Sequence, residues 1–324
     1  MSKYFWKRFL GLIPLFFGIT FLSFVVIHLA PGSPVDARSA LNPKMTVDAQ
    51  QKLTELYGLN QPVLVQYAHW LVRFVRLDFG RSFTDGETVT VKIGRAIPVT
   101  LLINFLSLLL IFLFGIPLGI LGAVKKDCAV DRVSGTVALA GFSIPTYWLA
   151  LLLVSFFGAK LRVLPVSGLF SLFHDEMSFF EKWADVSKHL VLPLIVSSVT
   201  GLAGISRFMR CSMIGVLSEN YIRTARAKGL PERKVLYGHA LKNALLPVLT
   251  ILGLSVPGLL GGSVIFESIF SIPGMGRLFF NSVFTRDYPV IMGMLTLGAV
   301  LTLLGNMLAD LAYAWADPRI RHGR

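Results

Sequence analysis

The chain has 324 residues, of which 54% are hydrophobic and 15% charged, and its formal net charge is +13. Ordinary soluble domains carry about 25% charged residues, so this composition excludes a typical soluble protein. Neither of the two cysteines belongs to a metal-ligand spacing, and the pair suggests no disulfide framework.

Long uncharged stretches recur along the chain, and each is long enough to cross a bilayer. A transmembrane helix needs roughly 20 apolar residues, because the hydrocarbon core is about 30 Å thick and a helix rises about 1.5 Å per residue. Strands of a membrane barrel alternate apolar and polar residues, which such runs do not. We therefore predict an all-α polytopic membrane protein with six transmembrane helices, at 9–35, 96–124, 133–159, 189–206, 243–266 and 288–309.

The segment between the first two spans, 36–95, has helical content of its own. A Pro-Gly-Ser-Pro sequence at 31–34 is expected to stop the first helix. Residues 47–57 then form a short amphipathic helix that closes at Gly58. Residues 63–77 repeat apolar side chains at helical spacing. This second helix either lies along the outer membrane surface or forms a small packed cap on the bundle.

The distribution of charge orients the bundle. With the N-terminus inside, the inner segments 1–8, 125–132, 207–242 and 310–324 hold 17 Lys/Arg against 6 Asp/Glu. The outer segments 36–95, 160–187 and 267–287 hold 13 against 12. This positive-inside bias predicts that both termini are cytoplasmic, and it explains the basic excess without nucleic acid.

The inner segment 207–242 predicts a helical hairpin. Ser218 is placed to cap a short helix, Gly229 to end it in the left-handed region, and Pro231 to open the next helix. Ala225 and Gly229 share one helix face, and their small size leaves room for a close neighbour. The residues alone leave two interpretations open, a docking element and a solvated loop.

Proline and glycine mark the interiors of the spans. Pro117, Pro145 and Pro257 are expected to interrupt helices two, three and five and to permit kinks. Glycines at 253, 258, 261 and 262 give span five a thin face that suits close helix packing, or else a translocation path. Few charges lie deep in the bundle, which disfavours a proton-driven secondary carrier.

Residues 223–229 (RTARAKG) and 239–247 (HALKNALLP) resemble the cytoplasmic EAA signature of ABC-transporter permeases, in the form of the dipeptide/oligopeptide and nickel branch. The generic signature has Glu-Ala-Ala, three residues, then Gly. Arg223, Thr224 and Ala225 stand at the first three positions here, so only Ala225 and Gly229 match the generic letters. Further segments similar to that branch are 31–34, 57–59, 78–80, 142–146, 164–168, 267–277, 286–289 and 317–321.

The resemblance implies the permease fold of a type I ABC importer, in a bacterial inner membrane. It implies a permease subunit for di- or oligopeptides, with nickel or glutathione uptake as the alternative. Implied partners are a second homologous permease, two cytoplasmic ATPases, an extracytoplasmic solute-binding protein and membrane lipid. The implied ATPase-coupling residues are Glu219, Tyr221, Arg223, Thr224, Ala225, Arg226, Ala227, Lys228 and Gly229.

The chain has no G-x-x-x-x-G-K-[ST] phosphate loop, so ATP and Mg²⁺ are expected on the partner ATPases and no cofactor on this chain. It also lacks an H-E-x-x-H metal pair and a G-x-S-x-G nucleophile elbow, which disfavours a membrane-embedded enzyme. We predict four parts: a tail and first helix at 1–35, an extracytoplasmic segment at 36–95, a core permease domain at 96–311 and a cytoplasmic tail at 312–324.

Overall fold

The computed structural model describes residues 2–42, 44–255, 258–259 and 261–316. Its helical content is 78%, and the described residues form no strand. The chain divides into two compact units, one from residues 1–100, 260–264 and 273–324 and one from residues 101–259 and 265–272. Among the described residues, five helices are long and apolar enough to span a membrane, or six if one bent pair counts as a single span. This agrees with the six predicted spans.

The first unit begins with helix α1 (Ser2–Leu29), which ends just before the Pro-Gly-Ser-Pro sequence, as predicted. Helices α3 (Val47–Leu56) and α4 (Val63–Val75) lie where the sequence predicts them, and Gly58 has φ +67°. Helix α2 (Pro34–Leu41) was not predicted. Its signal is a capping box, in which the Ser33 hydroxyl accepts from the backbone of Asp36 and the Asp36 carboxylate accepts from Ser33.

A buried carboxylate ties together two distant parts of the first unit. Asp287, which precedes the last helix, is 1% exposed. Its carboxylate accepts hydrogen bonds from the Phe83 backbone at 3.0 Å, from the Thr84 hydroxyl at 3.1 Å and from the Ser82 hydroxyl. A buried charge needs such partners. The loop after α4 is thereby fixed to the segment between α12 (Met275–Phe284) and α13 (Tyr288–Ala316).

Two predicted helix interruptions turn out differently. Helix α5 (Val89–Val124) runs without a break through Pro117, so the interruption predicted there is wrong. The third span is not one helix but two, α6 (Ala129–Ser143) and α7 (Thr146–Leu153, continued by a π-helical stretch to Lys160), which meet at 100°. Pro145 lies at this break and explains it. The residue before a proline disfavours the helical conformation, and proline itself lacks the N–H donor that a helix uses.

Helix α8 (Phe179–Leu217) has 39 residues and is much longer than the predicted span 189–206. Asp185 near its start accepts a hydrogen bond from the Ser171 backbone at 2.8 Å, and His174 Nδ1 lies 2.9 Å from the same carboxylate oxygen. These contacts fold the preceding loop of the second unit onto α8.

The fifth predicted span is too long at its C-terminal end. Helix α10 (Glu232–Ser255) contains a π-helical stretch over Val235–Ala240 and passes through Pro247. Residues 258–259 are in a 3-10 conformation, residues 261–263 are not helical, and α11 is Val264–Ile269. Among the described residues, Gly253 and residues 261–262 therefore do not belong to one continuous helix.

Candidate functional site: a charged helical hairpin

The predicted hairpin is present in the second unit. Helix α9 (Asn220–Ala227) is followed by Gly229, which has φ +74°, and Pro231 caps the start of α10. The N-cap of α9 is Glu219, so the prediction that Ser218 caps it is wrong by one residue. Ser218 instead ends α8, where its hydroxyl donates to the Gly215 carbonyl at 2.6 Å.

One face of α9 is buried inside the chain itself. Ile222 and Ala225 are 0% and 7% exposed. They belong to one apolar core with Met209 and Met213 of α8, and Val235 of α10. The small side chain of Ala225 therefore makes room for neighbours within this chain. The close neighbour predicted for Ala225 therefore lies within this chain.

The opposite face of α9 is exposed, and it carries most of the predicted coupling residues. Those that are exposed are Glu219, Tyr221, Arg223, Thr224, Arg226, Ala227, Lys228 and Gly229. Three of these residues are basic and one is acidic, and Arg226 is paired with Glu232 of α10, so the face carries a small net positive charge. An exposed, charged face above a buried seat can bind a partner without disturbing the hairpin.

Polar contacts brace the hairpin at both ends of α9. Arg226 pairs with Glu232 of α10 through two hydrogen bonds, Nη2 to Oε1 at 2.7 Å and Nε to Oε2 at 3.2 Å. These bonds raise the pKa of the Arg226 guanidinium above its ordinary value. The Asn243 amide donates to the Tyr221 hydroxyl at 2.8 Å. The segment 239–247, which contains Asn243, thus helps to hold α9 in place.

Replacing Gly229 with Val should loosen this hairpin. A Cβ built at Gly229 meets nothing within 4 Å, so the cost is conformational and not steric. A non-glycine residue in the left-handed region costs about 1–2 kcal/mol. We expect faster trypsin cleavage after Arg226 and Lys228 in Gly229→Val. The control is Gly215→Val, because Gly215 lies within α8 and is equally open. Equal cleavage rates would show that the turn does not require glycine.

A buried ion pair fixes the part of α8 that carries the hairpin. Asp131 of α6 is 6% exposed. It accepts two hydrogen bonds from Arg210 of α8, Nε to Oδ1 at 2.5 Å and Nη2 to Oδ2 at 2.6 Å. The Asp127 backbone N–H donates to the same carboxylate at 3.0 Å. Met209 packs under the hairpin, and the next residue of α8, Arg210, pairs with α6. Adjacent residues of one helix therefore contact both the hairpin and α6.

Helix α5 approaches the same part of α8 closely. A Cβ on Gly119 would lie 2.5 Å from the Ser206 carbonyl oxygen and 2.6 Å from Met209 Cβ. A Cβ atom essentially never comes this close to another heavy atom without a hydrogen bond or covalent bond, so this position requires glycine. Sequence reasoning missed Gly119, Asp131 and Arg210. Glycines at 115 and 119, four residues apart in a span, are the signal that could have indicated the close approach.

The residues predicted for a translocation path or for helix packing are Pro145, Gly253, Pro257, Gly258, Gly261 and Gly262. Pro145 lies at the α6–α7 break, and Gly253 lies in α10 with open space around it. Gly258 lies in a short stretch after α10, and Pro257 lies outside the described residues. Gly261 is not helical.

Gly262 makes a close backbone approach in the first unit. A Cβ there would lie 2.2 Å from the Gly276 backbone nitrogen. This position therefore serves close packing. Among the described residues no three His, Cys, Asp or Glu side chains are grouped so as to hold a metal ion.

Comparison with known proteins places these features in a family. Residues 115–322 match the family described as binding-protein-dependent transport system inner membrane component, and residues 1–104 match its N-terminal family. Three relatives cover at least 97% of the chain and of their own length: the oligopeptide transport system permease protein AppB of Bacillus subtilis (strain 168), 42% identical; the di/tripeptide permease protein DppB of Pseudomonas aeruginosa (strain UCBPP-PA14), 39%; and the glutathione permease protein GsiC of Escherichia coli (strain K12), 37%.

Proposed function

Because the chain belongs to the family of binding-protein-dependent transport system inner membrane components, in its peptide branch, we propose that it forms half of the translocation pathway of an ATP-driven importer of di- or oligopeptides. It is a multi-pass inner-membrane permease subunit of an ABC importer, and not itself an enzyme. The family implies a second permease, an ATPase and a binding protein as partners.

The proposed coupling role is supported mainly by the exposed face of α9. This face carries a small net positive charge, it stands on a fully buried seat, and it contains the residues that resemble the family's signature. We propose that this face docks into one of two cytoplasmic ATPases, which bind ATP and Mg²⁺. Closure of the ATPases then moves the hairpin, and the hairpin moves α8, α6 and α5 through the packing and the ion pair around Met209 and Arg210.

The proposed substrate class comes from the relatives. Their names specify oligopeptides, di- and tripeptides, and glutathione, which is itself a short peptide. A peptide backbone with two charged ends is the chemistry that these substrates share. Glutathione is the second candidate substrate, and the same uptake assay tests it.

The decisive experiment is reconstitution in liposomes with labelled di-, tri- and oligopeptides and glutathione. Uptake should require ATP, the second permease, the ATPases and the binding protein together. This chain alone should neither hydrolyse ATP nor accumulate peptide. Uptake by the lone chain under an ion gradient would instead establish a secondary carrier and overturn the proposal.

We further propose that both termini are cytoplasmic, which single-cysteine labelling tests. Ser82 and Ser171 look suitable from sequence, but Ser82 is 3% exposed and both hydroxyls bond to carboxylates. Leu172 is 99% exposed and is the better outer position.

Both native cysteines, Cys128 and Cys211, are exposed and must first be replaced. In that background Leu172→Cys should react with an impermeant thiol reagent in intact cells, and Ser218→Cys only after lysis. The reverse pattern would invert the topology.

A further inference from the structure

Helix α4 lies against α1 within the first unit. The Tyr67 hydroxyl lies 3.0 Å from the Thr20 hydroxyl and 3.4 Å from the carbonyl oxygen of Phe17. Further along α4, the Phe74 ring stacks on the Phe16 ring with centroids 5.2 Å apart. Tyr67 and Phe74 are seven residues apart on α4, and these contacts all lie between Phe16 and Thr20 of α1.

The positions of these contacts along α1 give their depth. By length and composition, Leu10–Leu29 is the part of α1 that can span a membrane. Thr20 lies nine residues before Leu29, which is about 14 Å along the helix axis, and Phe16 lies about 20 Å from Leu29. The hydrocarbon core is about 30 Å thick. A tyrosine side chain is much shorter than 14 Å, so the backbone of α4 lies below the Leu29 end of the span.

Three chemically different faces follow the surface of α4. The face toward α1 carries the aromatic residues Tyr67, Trp70 and Phe74. A second stripe is polar, with His69, Arg73 and Arg76, and Arg73 pairs with Asp78 at 3.5 Å. The third stripe is apolar and exposed, at the helical spacing 64, 68, 72 and 75.

That third stripe is open to whatever surrounds the protein. Leu64, Val72 and Val75 are 66%, 54% and 80% exposed, and Ala68 between them is also exposed. α1 has exposed apolar side chains of its own, among them Leu22, Val26 and Leu29. Both helices therefore present apolar side chains to their surroundings.

We propose that α4 is inserted in the lipid leaflet at the Leu29 end of α1, with Leu64, Ala68, Val72 and Val75 against lipid acyl chains. Its polar stripe lies at the headgroup level, where arginine side chains extend toward water. The helical backbone bonds internally and tolerates this environment. Segment 36–95 then is not wholly extracytoplasmic. The inference goes beyond the proposed transport function and uses it only to identify the leaflet as the outer one.

Site-directed spin labelling of the full chain in liposomes tests this placement. Labels go onto Ala68→Cys and Val75→Cys in the cysteine-free background. For each spin label, the collision rate with molecular oxygen, which concentrates in lipid, is compared with the collision rate with a water-soluble nickel chelate. Val26→Cys on α1 is the lipid control, and Gln51→Cys on exposed α3 is the water control.

We expect Ala68→Cys and Val75→Cys to resemble Val26→Cys, with oxygen collisions dominating both for the lone chain and for the assembled importer. Nickel collisions at the level of Gln51→Cys would place α4 in water and overturn the proposal. Protection from both reagents would show that protein covers the stripe, and would overturn it as well. The readout requires no transport, so it stands apart from any failure of the importer assignment.

Discussion

Exchanging Arg210 for aspartate should abolish peptide uptake by the assembled importer and lower the amount of chain in the membrane. Asp131 would lose two charge-assisted hydrogen bonds and face a second negative charge at a buried site. Removing one partner of a fully buried pair costs about 3–5 kcal/mol, because the remaining charge is uncompensated. The Arg210 side chain is 18% exposed, so the loss here should be smaller. Membrane abundance, thermal unfolding and uptake measure the effect.

The reversed pair, Asp131→Arg with Arg210→Asp, is the informative companion. It restores opposite charges at the same positions and should recover part of both abundance and uptake. Arg210→Lys keeps the charge but not the two-pronged geometry, so it should fall between wild type and Arg210→Asp. Exposed Arg207, one turn earlier, also acts on the Asp131 carboxylate through its charge, so Arg207→Asp should give a smaller loss in the same direction. Normal uptake by Arg210→Asp would show that the pair is dispensable.

A tryptophan at position 225 and one at position 227 should both stop uptake, for different reasons. Ala225 is packed against Met209, Met213 and Val235, so Ala225→Trp overfills the seat at a cost of about 1–3 kcal/mol or more and displaces α9. Ala227 is exposed on the same helix, so Ala227→Trp leaves the seat intact and obstructs only a docked partner.

Two measurements separate these effects. Trypsin sensitivity of the hairpin should rise for Ala225→Trp and stay at the wild-type level for Ala227→Trp. Co-purification of the ATPases should fall for both. If Ala227→Trp binds the ATPases and transports normally, the exposed face of α9 is not the docking surface, and the proposed coupling mechanism fails.

Local patterns predicted the elements whose causes are local. Gly229 and Gly58 adopt positive φ where helices had to end, and the uncharged runs mark the spans. Pro145 and Pro117 show the limit of such reasoning. Both are prolines within apolar runs, yet one lies at a 100° break and the other inside a continuous helix. The local sequence around each proline therefore did not distinguish a break from a continuous helix.

The candidate site likewise has features with local causes and features that depend on residues distant in sequence. The hairpin and its exposed residues follow from capping signals within one loop. The direction in which Ala225 faces depends on α8 and α10, and helical periodicity alone does not say which face is covered. Asp131 and Arg210 are 79 residues apart in sequence, so no spacing rule could have paired them.

The length of α8 has a mechanical consequence. At about 1.5 Å per residue its 39 residues form a rod about 58 Å long. Near one end stand Met209 and Met213 under the hairpin, and near the other stands Asp185, which holds Ser171 and His174. A stiff lever of this length turns a rotation of a few degrees at its middle into opposite displacements of a few ångströms at its two ends. Pro193 lies between those ends. The bending of α8 at Pro193 therefore determines how much of the displacement at the hairpin end reaches the loop around Ser171.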